Sequence, residues 1–294
     1  MLLLALALLT APADSTTVIR DLEVAGGESL RITTIGAGRP LVLIPGIFGG
    51  AFGYRKITGP LVARGYRCII VEPLGYGSSS HPKDADYSFT AQTARVARAL
   101  DMMGVKHALV VAQSSGAAIA FRLVVQRPDL VRGLLSIDGG PAETAATPGL
   151  KKAFKLGGFA AKLAMDEGKL RHDVRREIVR NSGDTAWVTD AVIRQYTAGQ
   201  TADMGGSIDA FHQMSKSKEG GSLADRLHQC KVPVLLLVGS VPHPSEVTGD
   251  QRELLKTRIP KYRTESVRGS GQYIQEEQPA AVLAALARLD QVSR

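Results

Sequence analysis

The 294-residue chain has only two cysteines, Cys68 and Cys230, which excludes a disulfide framework. Each lies beside or within an apolar run, "RCIIVE" and "CKVPVLLLVG", and reads as a small buried hydrophobe. No group of Cys, His and carboxylate residues has metal-ligand spacing, so no metal is expected. Aromatic residues make up 5% of the chain, and no Lys/Arg run is interleaved with them. That argues against a nucleic-acid partner, despite a net charge of +8 from 36 basic and 28 acidic residues. The basic excess reads as a solvated surface. No stretch reaches the roughly 18 uninterrupted apolar residues of a membrane-spanning helix, so no integral membrane segment is expected. Repeats and low-complexity tracts are also missing.

One short apolar run stands at the N-terminus, in "MLLLALALLTAPADS". Leu2 to Leu9 followed by Ala11-Pro12-Ala13 resembles the apolar and cleavage regions of a signal peptide over residues 1–13, without the usual basic start. Read so, it sends the chain to the periplasm or outside the cell. Read as a plain apolar extension, it leaves the chain in the cytoplasm.

What is present is a regular alternation of strands and helices. "PLVLIPG", "RCIIVEPLG", "HALVVAQ", "GLLSIDG" and "VPVLLLVG" are continuous apolar runs, as parallel strands covered on both faces require. Leu22 to Gly36 reads as a hairpin turning at Gly26-Gly27. "YRTESVRG", Tyr262 to Gly269, reads as the last strand. Helices are expected over Tyr87 to Met103, Ser115 to Gln126 and Gln278 to Leu289. The class is therefore α/β with a mostly parallel sheet. Residues 18–140 and 229–294 form the expected core. Residues 141–228 hold helical patterns and no convincing strand, and read as a helical cap inserted between two core strands. Its Phe154, Phe159, Trp187, Tyr196 and Phe211 either line an apolar pocket or form the cap's own core.

The most informative stretch is "VVAQSSGAAIAF". A strand runs through Ala112-Gln113-Ser114-Ser115-Gly116 straight into a helix. This is the small-x-nucleophile-x-small pattern of a strained elbow, with Ala112 in place of the usual first glycine. Small neighbours two residues away let Ser114 sit in strained backbone at the helix N-terminus. There the Ser115 N–H favours a developing oxyanion. The glycine-rich "LIPGIFGGAFGY" follows the first long strand, and its Ile47 amide, or that of Phe48, is placed to be the second oxyanion donor.

On these motifs the chain resembles α/β-hydrolase-fold proteins. "PLVLIPG", "VEPLGYGSSS", "AQSSG", "RPDLVRGLLSID", "VPVLLLVG" and "GSGQYIQEEQP" occur in the family's order across Leu41 to Leu289. The resemblance implies an α/β-hydrolase fold: a mostly parallel central sheet flanked by helices, with an inserted helical cap. It implies a serine hydrolase of esterase type, acting on a small-molecule ester or other apolar substrate through an acyl-Ser114, with no cofactor.

The resemblance also places the rest of a triad. The family's usual acid follows the strand "PVLLLVG", but no Asp or Glu occupies the next six positions, and His243 stands there instead. Asp138, at the end of "SID", matches a second acid position, as in haloalkane dehalogenases. Glu246 is the alternative acid. The base belongs in "G-x-G-H", and here Gly269-Ser270-Gly271 precede Gln272. A glutamine amide hydrogen-bonds but accepts no proton. Gln272 thus marks a natural loss of the base, a base moved to another residue such as His243, or a His→Gln change introduced by hand. The competing readings are a weak hydrolase, a ligand-binding homologue without chemistry, and a non-hydrolytic reaction using another base.

Overall fold

The computed structural model describes residues 16–293. The expected signal peptide lies outside the described residues. Eight strands form one sheet: β1 (Thr17–Ala25), β2 (Glu28–Ile35), β3 (Arg39–Ile44), β4 (Tyr66–Val71), β5 (Ala108–Gln113), β6 (Val131–Ile137), β7 (Val234–Gly239) and β8 (Tyr262–Val267). Their order is β1-β2-β4-β3-β5-β6-β7-β8. The β1–β2 and β2–β4 pairs are antiparallel, and every other pair is parallel.

The helices are α1 (Arg55–Ala63), α2 (Phe89–Met102), α3 (Ser115–Gln126), α4 (Pro148–Ala153), α5 (Gly158–Ala164), α6 (Glu167–Arg180), α7 (Asp190–Tyr196), α8 (Ala198–Ala202), α9 (Met204–Lys216), α10 (Gly249–Arg258), α11 (Ile274–Glu277) and α12 (Pro279–Val292). None of the described helices is long and apolar enough to cross a membrane.

Successive residues of the central strands serve opposite faces, as the two-residue period of a strand demands. Val42 and Ile44 of β3 join a core with Val96, Phe121 and Leu123 from α2 and α3. Leu41 and Leu43 join a second core with Ile57, Leu61, Leu286 and Leu289 from α1 and α12. Both faces are therefore covered, which is why the strands read as unbroken apolar runs. Cys68 and Cys230 are buried and free.

The first hairpin is longer than the sequence suggests. β1 begins at Thr17, well before Leu22. Its first half carries no alternation to read, because it is an edge strand with Val18 and Ile19 exposed.

A buried carboxylate fastens the last helix. Asp290 on α12 accepts from Arg39 on β3 and from Arg132 on β6, at 2.7 and 2.5 Å. Burial works against its ionisation, but the hydrogen bonds from both guanidinium groups win and hold the carboxyl down at about 2. A depressed acid stabilises the fold above its unfolded value, and that stability is lost as pH falls through the folded value. Asp290→Asn is therefore expected to lower Tm at neutral pH. Thermal unfolding followed against pH should show the gap to the unaltered protein closing between about 4 and about 2.

Candidate active site

The C-terminal ends of β3 to β8 lie along one edge of the sheet. The loops leaving them carry, in turn, Ile47, Glu72, Ser114, Asp138, His243 and Gln272. Strand order reverses between β3 and β5, and the crevice at such a reversal is where open α/β sheets bind ligands. Ile47 and Ser114 stand on its two sides.

Ser114 joins β5 to α3 with φ 51° and ψ −124°, a conformation that disfavours most side chains. Asp138, at the end of β6, is also held at positive φ, 43°. Strain of this kind costs about 1–3 kcal/mol and persists only where the surroundings enforce it. Gly116 shows how tightly the elbow is held. A Cβ there would stand 2.5 Å from the Ile44 carbonyl oxygen and 2.6 Å from that of Pro45. The helix therefore starts against the backbone that follows β3, which brings the Ser114 and Ile47 loops together.

Gln272 Nε2 donates to Ser114 Oγ at 3.0 Å. The Gln272 side chain thus reaches the elbow serine, and it is buried. Turning the amide over would let its oxygen accept the serine proton's hydrogen bond, but in neither orientation does it take the proton. Asp138 and His243 form a close pair behind this contact, with Oδ2 and Nε2 3.0 Å apart and both side chains 1% exposed. Asp138 Oδ1 also accepts from the Gly239 N–H, at 3.4 Å. Burial pushes the Asp138 carboxyl above its ordinary value, against the pull of His243. His243 therefore faces Asp138, and its bond to Ser114 does not form among the described residues. Glu246 is exposed and stays out of the cluster.

Of the two N–H groups expected to serve as oxyanion donors, one is already engaged. The Ile47 N–H donates to Ser115 Oγ at 3.0 Å, and the Tyr76 hydroxyl reaches the same oxygen at 3.3 Å. The Ser115 N–H opens α3, so no preceding helical turn can accept it. A developing oxyanion would compete with the Ser115 hydroxyl for the Ile47 donor. Ser115→Ala removes that competitor, worth about 1 kcal/mol, and is expected to raise the rate of Ser114 acylation about fivefold. A stopped-flow burst measured with an activated ester checks it, and an unchanged or lower rate contradicts it.

Above Ser114 lies a cavity of about 510 Å³. Its walls include Ile47, Phe48 and Tyr76 from the core, and Leu150, Phe154, Met165, Leu170, Val174 and Phe211 from the helices between β6 and β7. The aromatics of this insertion divide. Phe154 and Phe211 line the cavity. Trp187 and Tyr196 pack with Tyr273 in a separate aromatic cluster. Phe159 is 77% exposed and lines nothing. His212 stacks on Phe154, with ring centroids 5.4 Å apart.

Two further residues of α6 and its end were not singled out from sequence. Glu177 lines the cavity and also a small recess of about 80 Å³ beside Ser114 and Gln272. Asn181 is fully buried and ties three loops together. Its carbonyl accepts the Gln272 N–H at 2.7 Å, its Oδ1 accepts the Ser245 N–H at 3.0 Å, and its Nδ2 donates to Glu177 Oε1 at 2.9 Å. The readable signal was helical spacing: Leu170, Val174, Glu177, Ile178 and Asn181 share one face. Glu277 completes the clamp by accepting the N–H groups of Gly183 and Asp184, each at 2.7 Å. Its neighbour Glu276 accepts from the Tyr196 hydroxyl at 2.9 Å and pairs with Arg55.

A serine elbow at the switch point of a doubly wound sheet, beneath a helical insertion, defines a protein of the α/β-hydrolase type. The model of the alpha/beta hydrolase fold family matches residues 39–279, and the chain belongs to that family. A 2-hydroxymuconate semialdehyde hydrolase of Pseudomonas sp. (strain CF600) is 30% identical over 144 residues, 48% of this chain and 50% of that one. The match thus spans about half the length of that relative. The sn-1-specific diacylglycerol lipase ABHD11 of Mus musculus is 24% identical over 249 residues, 81% of this chain and 76% of that one. Among solved structures, the epoxide hydrolase CorEH without ligand is similar with a TM-score of 0.79 and 17% identity, covering 95% of this chain and 100% of that one. At that identity the likeness concerns the fold alone.

Proposed function

We propose that this protein is a serine hydrolase of esterase type in which Gln272 has replaced the general base, leaving slow or arrested acyl transfer. The observation that carries the reading is the 3.0 Å contact from Gln272 Nε2 to Ser114 Oγ, at a strained elbow beneath an apolar cavity. Ser114 is the nucleophile, the Ile47 and Ser115 N–H groups are the oxyanion donors, and Asp138 is the acid. The hydrolase and lipase names of the relatives agree with the reaction class, and the cavity lining agrees with a small apolar acyl compound. Without an acceptor for its proton, the Ser114 hydroxyl remains a weak nucleophile at neutral pH.

The test is incubation with p-nitrophenyl acetate and p-nitrophenyl butyrate, with mass spectrometry of the protein. A slow adduct on Ser114 that outlasts the release of p-nitrophenol is expected. If no adduct forms and no ester turns over, the hydrolase reading fails. A second reading is then favoured, a binding protein that keeps the cavity without the chemistry. The observation behind it is that Gln272 and Ser115 already satisfy Ser114 Oγ and the Ile47 N–H.

A further inference from the structure

The same cavity is lined by a second serine that has a histidine behind it. Ser207, on the first turns of α9, is 2% exposed and forms part of the cavity wall. Its Oγ lies 3.2 Å from His81 Nε2. His81 comes from the loop after β4, and its Nδ1 lies 3.2 Å from Asp203 Oδ2. The histidine side chain is 4% exposed, whereas that of Asp203 is 58% exposed. Asp203 is also oriented from its other oxygen, because Oδ1 accepts the Gly206 N–H at 2.9 Å as the N-cap of α9.

These contacts set the tautomer. A carboxylate beside Nδ1 keeps the proton there, so Nε2 is left as an acceptor for the Ser207 hydroxyl hydrogen. Burial lowers His81 below its ordinary value, against the pull of Asp203, which favours the neutral ring. The arrangement is a serine, a base and an orienting acid in the roles a nucleophile requires. Gln200 lines the cavity too. It is 1% exposed, and neither its Nε2 nor its Oε1 has a hydrogen-bond partner among the described residues. A buried amide without partners is costly unless a ligand group meets it.

We propose that Ser207, with His81 as base and Asp203 as orienting acid, is a second nucleophile of the cavity that accepts the acyl group of carboxylic esters. Ser207 Oγ forms a bond to the ester carbonyl carbon as its proton passes to His81 Nε2. Gln200 Nε2 is the donor offered to the carbonyl oxygen. The adduct then collapses, the carbon–oxygen bond to the alkoxide breaks, and the leaving alkoxide takes the proton from His81. Acyl-Ser207 and an alcohol remain, and the imidazole is neutral again. The proposal does not depend on Ser114 being active.

An alkyl fluorophosphonate, which loses fluoride to an activated serine, tests it on the full chain. Intact mass counts the adducts and peptide mapping locates them. Ser114→Ala should leave labelling of Ser207 in place, and Ser207→Ala should remove it. His81→Gln retains a hydrogen-bonding side chain between Ser207 and Asp203 but no base, and should slow Ser207 labelling about 100-fold. Asp203→Asn keeps an oxygen for the Gly206 N–H and should slow labelling by releasing the tautomer. Absence of label on Ser207 overturns the proposal. So does labelling at an unchanged rate in a folded His81→Gln protein, because the three residues then only fasten α9 to the loop after β4.

Discussion

Replacing Gln272 by histidine is expected to raise p-nitrophenyl butyrate turnover about 10²- to 10³-fold, through Ser114. Base catalysis by a positioned side chain contributes roughly 10²–10⁴ in rate, which brackets the gain. The geometry favours it. The amide nitrogen already sits 3.0 Å from Ser114 Oγ, so an imidazole on the same backbone needs little movement to take its place. The backbone is fixed independently, because the Gln272 N–H is held by the Asn181 carbonyl at 2.7 Å. The carboxylate is not wholly free, since Asp138 lies 3.0 Å from His243. A new histidine must share it, which places the gain in the lower part of the range. Ser114→Ala in the Gln272→His background should remove the increase. Survival of the increase would mean that the serine elbow is not where the ester reacts.

Gly116→Ala carries a large expected effect on stability. A Cβ at this position meets two backbone carbonyl oxygens at 2.5 and 2.6 Å, and neither can step aside like a flexible side chain. Relief requires α3 to move away from β3, and that carries Ser114 away from Ile47. Core overpacking costs about 1–3 kcal/mol, and a clash with fixed backbone belongs at the top of that range. Chemical denaturation should show a loss of about 3 kcal/mol. Any Ser114 acylation should be lost with it, even where the variant still folds. A Gly116→Ala protein of ordinary stability would mean that the elbow is not confined by the Ile44 and Pro45 backbone.

The fold was legible because covered parallel strands must be apolar without interruption. "PLVLI", "CIIV", "LVVA" and "VLLLV" announce themselves on that ground alone. The elbow was legible because strained backbone needs small neighbours, and Ala112 and Gly116 flank Ser114. The first half of β1 was not, since an exposed edge strand has no face to mark. Long-range pairings were also hidden. Asn181 reads locally as a helix-end residue, while its bonds run to Gln272 and Ser245. Ser207 and His81 are separated by 126 positions, and nothing in the pattern of either segment predicts their contact.

The central claim is that the Ser114 site lacks a proton acceptor and little else. Chemical rescue tests it most directly. Gln272→Ala opens space beside the small recess next to Ser114, into which imidazole can be supplied from solution. Turnover of p-nitrophenyl butyrate by Gln272→Ala should then rise with imidazole and saturate, while in Gln272→Ala combined with Ser114→Ala added imidazole brings no increase beyond its own background reaction. Equal rates for the two proteins at every imidazole concentration would contradict the claim.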